Sequence, residues 1–187
     1  MESFIPKIPA GIADHNYEFF ENDGDIFYLQ NGKVCNFMEL NTDYHYIIRH
    51  DLEKRPQALK AMYECGITDW MDQNKRWAIC NFGDFDNRAD ITTEGIIVHE
   101  HVKCKYRGSC KYEGIICLPV EAQYGTLTPR ELQIIKMVAY GMLDKNIADC
   151  LGMALNTMYN HRAKIEQKIG RHNKAGIVAF AYENNLI

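Results

Sequence analysis

The sequence predicts an α+β protein: a small N-terminal α+β domain with a Cys-rich loop, followed by an all-α domain of four helices. Three observations predict it. In "DIFYLQNGKVCNF" two apolar-rich runs flank Asn31-Gly32, a pair that tolerates the positive φ of a type I′ hairpin turn. In "HEHVKCKYRGSC", histidines and cysteines crowd together ahead of Cys117, between strand-like runs. From Leu127 onward, helix caps and glycine stops recur at helical spacing.

A chain of 187 residues accommodates one large domain or two small ones, and its 47% hydrophobic and 25% charged content is that of a soluble globular protein. The net charge of −4 divides unevenly: residues 125–187 hold eight Lys/Arg and five Asp/Glu, residues 1–124 thirteen and twenty. A basic end on an acidic body suits a segment that meets an anion. No apolar run reaches the ~18 residues of a membrane helix. The start, "MESFIPKIPAGIADHN", lacks the basic and apolar regions of an export signal. The expected location is therefore the reducing cytoplasm, where seven cysteines, an odd count, serve as thiols or ligands rather than disulfides.

After the hairpin, "NTDYHYIIRHDLEKR" reads as a helix capped by Asn41, Thr42 or Asp43, and Pro56 interrupts it or starts another. "QALKAMYECG" continues helically to Gly66. "RWAICNF", "GIIVHEHV" and "GIICLPV" read as strands, and "PVEAQYG" as a linker. The expected division is an N-terminal domain over 1–118, a linker over 119–126 and a helical domain over 127–187.

The helical domain opens with Thr128 as cap, Pro129 at the first helical position and Glu131 completing a capping box. Leu127 and Leu132 suit a hydrophobic staple, and Gly141 ends this helix. "DKNIADCLG" reads as a short second helix with Ile147, Ala148 and Leu151 inward and Cys150 in the core. "NTMYNHRAKIEQKIG" is a basic third helix with Met158, Ile165 and Ile169 inward and Gly170 as stop. "NKAGIVAFAYENNL" is a fourth, capped by Asn173. Short helices joined by Gly-containing turns, the third of them basic, form a helix-turn-helix pattern. A plain helical bundle or protein-docking module is the competing reading.

This segment resembles the LuxR-type (GerE) DNA-binding domain. The resemblance rests on "LTPRE", on K-x-I-A-x-x-L-G from Lys145 to Gly152, on T-x-x-N-H from Thr157 to His161, and on I-x-x-K-I-G from Ile165 to Gly170; it covers about a third of the chain. It implies that the third helix enters the major groove of duplex DNA and that the fourth mediates dimerisation. Tyr159, Asn160 and Ala163 would then face the groove, while Lys145, Thr157, Arg162 and Lys164 would contact the backbone. Two departures stand out. Leu143 and Ala154 occupy positions where that family places a capping side chain, and a lost cap costs about 1 kcal/mol. Tyr159 and Ala163 occupy positions often held by Lys, which leaves Asn160 as the bidentate reader, with adenine its natural partner. On the fourth helix, Ile177, Val178, Ala181 and Tyr182 exceed what one inward face needs, so a homodimer is expected.

The N-terminal domain shows neither the strand–helix alternation nor the acidic pair of a phosphorylated receiver, and no resemblance to an acyl-homoserine-lactone-binding domain. Its Cys/His cluster has several readings. Cys104, Cys110 and Cys117, with His101 or Cys80 as a fourth ligand, suit one Zn²⁺. An all-Cys set with Cys80 would suit an iron–sulfur cluster. Two of the thiols forming a reversible disulfide, or cysteines serving as small core residues, are the alternatives.

The expected function is a non-enzymatic, cytoplasmic, dimeric transcription regulator. Its N-terminal domain would hold a metal and receive a small-molecule or protein signal. The alternative is an enzyme or redox thiol sensor with an appended DNA-binding domain, with Cys104 or Cys110 as nucleophile beside His99 or His101.

Overall fold

A computed structural model describes residues 8–187. The stretch read for an export signal begins in residues 1–7, outside the described residues. The chain forms two compact units, Met1–Val102 and Lys103–Ile187.

The first unit builds on an antiparallel meander of β1 (Glu18–Asn22), β2 (Asp25–Gln30) and β3 (Lys33–Asn36). Asn31 and Gly32 turn β2 into β3 with φ of 51° and 71°, as the sequence predicts. The β1–β2 turn uses the same device at Asp23 and Gly24, with φ of 53° and 87°.

Three helices follow. Asn41 caps α1 (Thr42–Glu53) by accepting the Asp43 N–H at 2.9 Å. Pro56 starts α2 (Pro56–Glu64) at a position that needs no N–H donor. Asp69 caps α3 (Trp70–Asn81), accepting from Met71 and Asp72. Of the three, α3 packs on the sheet, α1 on α3, and α2 on α1. Here the structure corrects the sequence reading: "RWAICNF", expected as a strand, lies almost wholly in α3. The cap and helical period decide it, because Gln73, Asn74, Trp77, Ala78 and Asn81 fall on one buried face. Nor do "GIIVHEHV" and "GIICLPV" form strands; the first contributes only an isolated bridge, Ile91 to Ile97.

Phe19, Phe37, Ile48, Leu52, Trp77 and Phe82 fill this unit's core. The Trp77 indole donates to Asp51 Oδ2 at 3.0 Å, so its polar end is satisfied. Buried and half-buried carboxylates clamp the 83–91 segment. Glu18 Oε1 accepts from the Asp86 N–H at 2.6 Å, Glu100 Oε1 from Asp84 at 2.7 Å, and Asp90 Oδ2 from Phe19 at 2.7 Å. Burial, opposed by these hydrogen bonds and reinforced by neighbouring carboxylates, pushes Glu18 and Glu100 up to about 8. It pushes Asp90 well above the usual carboxylate range.

The second unit begins with the Cys-rich loop, which the sequence reading placed in the N-terminal domain. The segment expected as linker is a short hairpin, β4 (Glu121–Ala122) with β5 (Gly125–Thr126). Four helices follow: α4 (Pro129–Ala139), α5 (Asp144–Cys150), α6 (Leu155–Ile169) and α7 (Lys174–Glu183). The capping box at Thr128 and Glu131, the Asn173 cap and the left-handed Gly170 stop follow the sequence prediction. Leu132, Ile135, Ile147, Met158, Ile165, Ile177 and Phe180 share one core.

Candidate nucleic-acid interface

The periodicity of α6 sorts its residues. Met158, Ile165 and Ile169 recur at helical spacing and anchor one side in the core. Thr157, Asn160, Ala163 and Lys164 are exposed away from that buried stripe, and Tyr159 is 43% exposed. Lys145, on α5, is also exposed.

Arg162 is placed differently. Its guanidinium donates to Asp144, lies 3.4 Å from Glu166, and sits 5.5 Å over the Tyr159 ring. Asp144 also receives Lys174 of α7 at 2.9 Å. One carboxylate at the start of α5 therefore gathers cations from α6 and α7, where it also complements the α5 dipole. Neither α5 nor α6 has a side-chain cap, because Leu143 and Ala154 offer no acceptor. Their first-turn N–H groups thus lack the partner a capping side chain would supply.

The four residues expected to mediate dimerisation divide. Ile177 and Ala181 are buried in the unit's own core, while Val178 and Tyr182 are 37% and 76% exposed. Cys150, read as a core residue, is exposed, because the short α5 turns its inward face through Ile147 and Ala148.

The Cys-rich loop is closed by an ion pair. Arg107 Nη1 meets Glu113 Oε1 at 2.9 Å, with the two side chains 2% and 4% exposed. Glu113 Oε2 accepts the Gly108 N–H at 2.8 Å. Gly108 has φ of 84°, and a Cβ there would sit 3.0 Å from Gln133 Cα, so glycine lets the loop lie against α4. Cys117 Sγ accepts from the Gly114 N–H at 3.3 Å, and burial pushes its thiol up. Cys104 Sγ accepts from the Tyr106 N–H at 3.4 Å. Cys104, Cys110 and Cys117 lie in the second unit, His101 and Cys80 in the first. Among the described residues, no group of three or more His, Cys, Asp or Glu side chains is placed to hold a metal ion. The residue types suit zinc; their placement does not gather three of them at one point. His99 is committed elsewhere, with Nε2 2.6 Å from Asp51 Oδ2. Among the described residues no helix is long and apolar enough to cross a membrane.

Comparison with known proteins bears on this helical unit. Residues 125–181 match the family described as bacterial regulatory proteins, luxR family (GerE), and form a helix-turn-helix domain of that family. The chain is similar to "Transcriptional regulatory protein MctR" of Rhizobium johnstonii, 29% identical over 82 residues, covering 44% of this chain and 38% of that protein. It is similar to "Response regulator protein VraR" of Staphylococcus saprophyticus, 22% identical over 128 residues, 65% of this chain and 61% of the relative. It is also similar to "Probable transcriptional regulator ycf29" of Cyanophora paradoxa, 35% identical over 60 residues, 32% of this chain and 29% of the relative. The chain thus spans 38% and 61% of the length of the first two relatives. No solved structure matches it.

Proposed function

We propose that this protein regulates transcription by binding duplex DNA as a homodimer, with α6 lying in the major groove. The observation that carries the reading is the exposed face of α6 within a LuxR-type domain: Thr157, Asn160, Ala163 and Lys164 stand clear of the core. Asn160 presents an amide suited to adenine. Lys145 and Lys164 supply phosphate contacts, and the uncapped start of α6, with no acidic residue in its first turn, offers N–H groups to phosphate oxygens. Arg162 holds α6 to α5 through Asp144 and reaches the backbone from that anchored position. Val178 and Tyr182 form the exposed part of the dimer contact.

A duplex titration over a range of salt tests this. Affinity should fall steeply with salt, because each neutralised phosphate releases counterions. The mass of the complex should correspond to two chains per duplex. Salt-independent binding, or one chain per site, would count against the reading.

A further inference from the structure

We propose that the first unit binds a small organic anion with an apolar body, in the cavity between α1 and the 95–99 segment. This site is independent of the DNA-binding reading, since every residue that lines it lies between Tyr46 and His99.

The cavity measures about 500 Å³, within the range of small-molecule sites. One face of α1 and its C-cap supply the first wall: Tyr46, His50 and the cap residue Lys54 recur every fourth residue, flanked by Ile47 and Asp51. Ile96 and Ile97 form the opposite wall. Gly95 lets the walls approach, because a Cβ there would fall 2.9 Å from Ile47 Cδ1. Tyr46 and Ile96 are large apolar side chains left exposed, which an apolar ligand body would cover.

The polar groups favour an anion. Asp51 is the one carboxylate among the lining residues, and it is already enclosed. It accepts from Trp77 at 3.0 Å and from His99 at 2.6 Å, and Lys54 Nζ lies 3.7 Å away. Burial alone would raise its carboxyl; these partners override burial and hold it below the usual range. The Trp77 and His99 donors thus hold the carboxylate from within, and its bond to Nε2 fixes the His99 ring. That leaves Lys54 as the cation at the exposed end of the cavity: its contact with Asp51 is long, at 3.7 Å, no second carboxylate lines the cavity, and His50 lies one turn before it as a polar neighbour. The lining includes no Ser, Thr or Cys, so the Asp51–His99 pair has no hydroxyl or thiol there to activate. It shapes a binding site instead.

Protein-observed NMR of the full chain tests this, with benzoate and phenyl phosphate as probes and benzyl alcohol as their neutral counterpart. The Trp77 indole and His99 ring signals should shift saturably with at least one anion, and the preferred probe identifies carboxylate or phosphate. Benzyl alcohol should bind more weakly. Lys54→Gln and His50→Gln, both at exposed positions, should each weaken anion binding about twofold to fivefold, the effect of an exposed ion pair. They should leave benzyl alcohol unchanged. No saturable shift with either anion would overturn the site. Equal binding of benzyl alcohol, or indifference of the anions to Lys54→Gln, would overturn its charge preference.

Discussion

Lys168 Nζ lies 2.7 Å from Glu131 Oε2, joining the last turn of α6 to the first turn of α4. The same oxygen accepts the Thr128 N–H at 2.8 Å, so one carboxylate completes a capping box and a helix–helix tie. Burial would raise its carboxyl, but Lys168 and Thr128 hold it below the usual range. A depressed folded value stabilises the protein above the unfolded value near 4.5 and loses that effect as pH falls through the folded one. Glu131→Ala should therefore destabilise the helical unit by about 1–3 kcal/mol at neutral pH. The difference should shrink as pH falls below about 4.5, as read by thermal melting. A difference independent of pH would assign the effect to packing rather than charge.

Arg107 and Glu113 give the Cys-rich loop its closure. Removing one partner leaves an uncompensated buried charge, so Arg107→Met should cost about 3–5 kcal/mol. Arg107→Met with Glu113→Leu should recover much of that loss. A metal chelator should leave the melting temperature unchanged, because the ion pair closes the loop. A fall on chelation, with about one equivalent of zinc by elemental analysis, would instead make Cys104, Cys110 and Cys117 a zinc site.

Glu18 and Glu100 set the opposite pH trend in the first unit. Their folded values near 8 exceed the usual 4.5, so the folded chain keeps protons that the unfolded chain releases. Their contribution to stability is full below about 4.5, falls as pH rises, and levels off above about 8. Linkage limits the slope to about 1.4 kcal/mol per pH unit for each proton held. Glu18→Gln should flatten the fall and raise stability near pH 8 in urea unfolding. An unchanged slope would show that Glu18 ionises freely when folded.

The α6 residues separate by what they touch. Lys145→Ala and Lys164→Ala should each weaken binding to all sequences and lower the salt slope by about 0.9, without altering the melting temperature. Arg162→Ala should lower both, since its guanidinium also ties α6 to Asp144. Fluorescence anisotropy and melting on the same samples distinguish the two behaviours. A purely structural Arg162 would leave the salt slope intact.

The helical unit was legible because its signals are local. Thr128, Glu131, Asn173 and Gly170 each act within a few residues, so spacing alone locates them. The β2–β3 turn was legible for the same reason. The β1–β2 turn rests on an equally local pair, Asp23-Gly24. What stayed hidden depends on distant partners. His99 looks like a neighbour of cysteines until it pairs with Asp51. Arg107 and Glu113 are surface charges in any sequence scale, and only the fold buries them together. Ile177 and Ala181 look available for a partner because the core they enter is built by helices remote in sequence.

Selection from a randomised duplex pool with the intact protein tests the DNA-binding reading most directly. It should enrich inverted half-sites about one helical turn apart. Repeating it with Asn160→Ala should erase the preference at one base in each half-site, a loss of about 1–3 kcal/mol there. A pool with no enriched sequence, or an Asn160→Ala pool identical to the unmodified one, would contradict major-groove reading by α6.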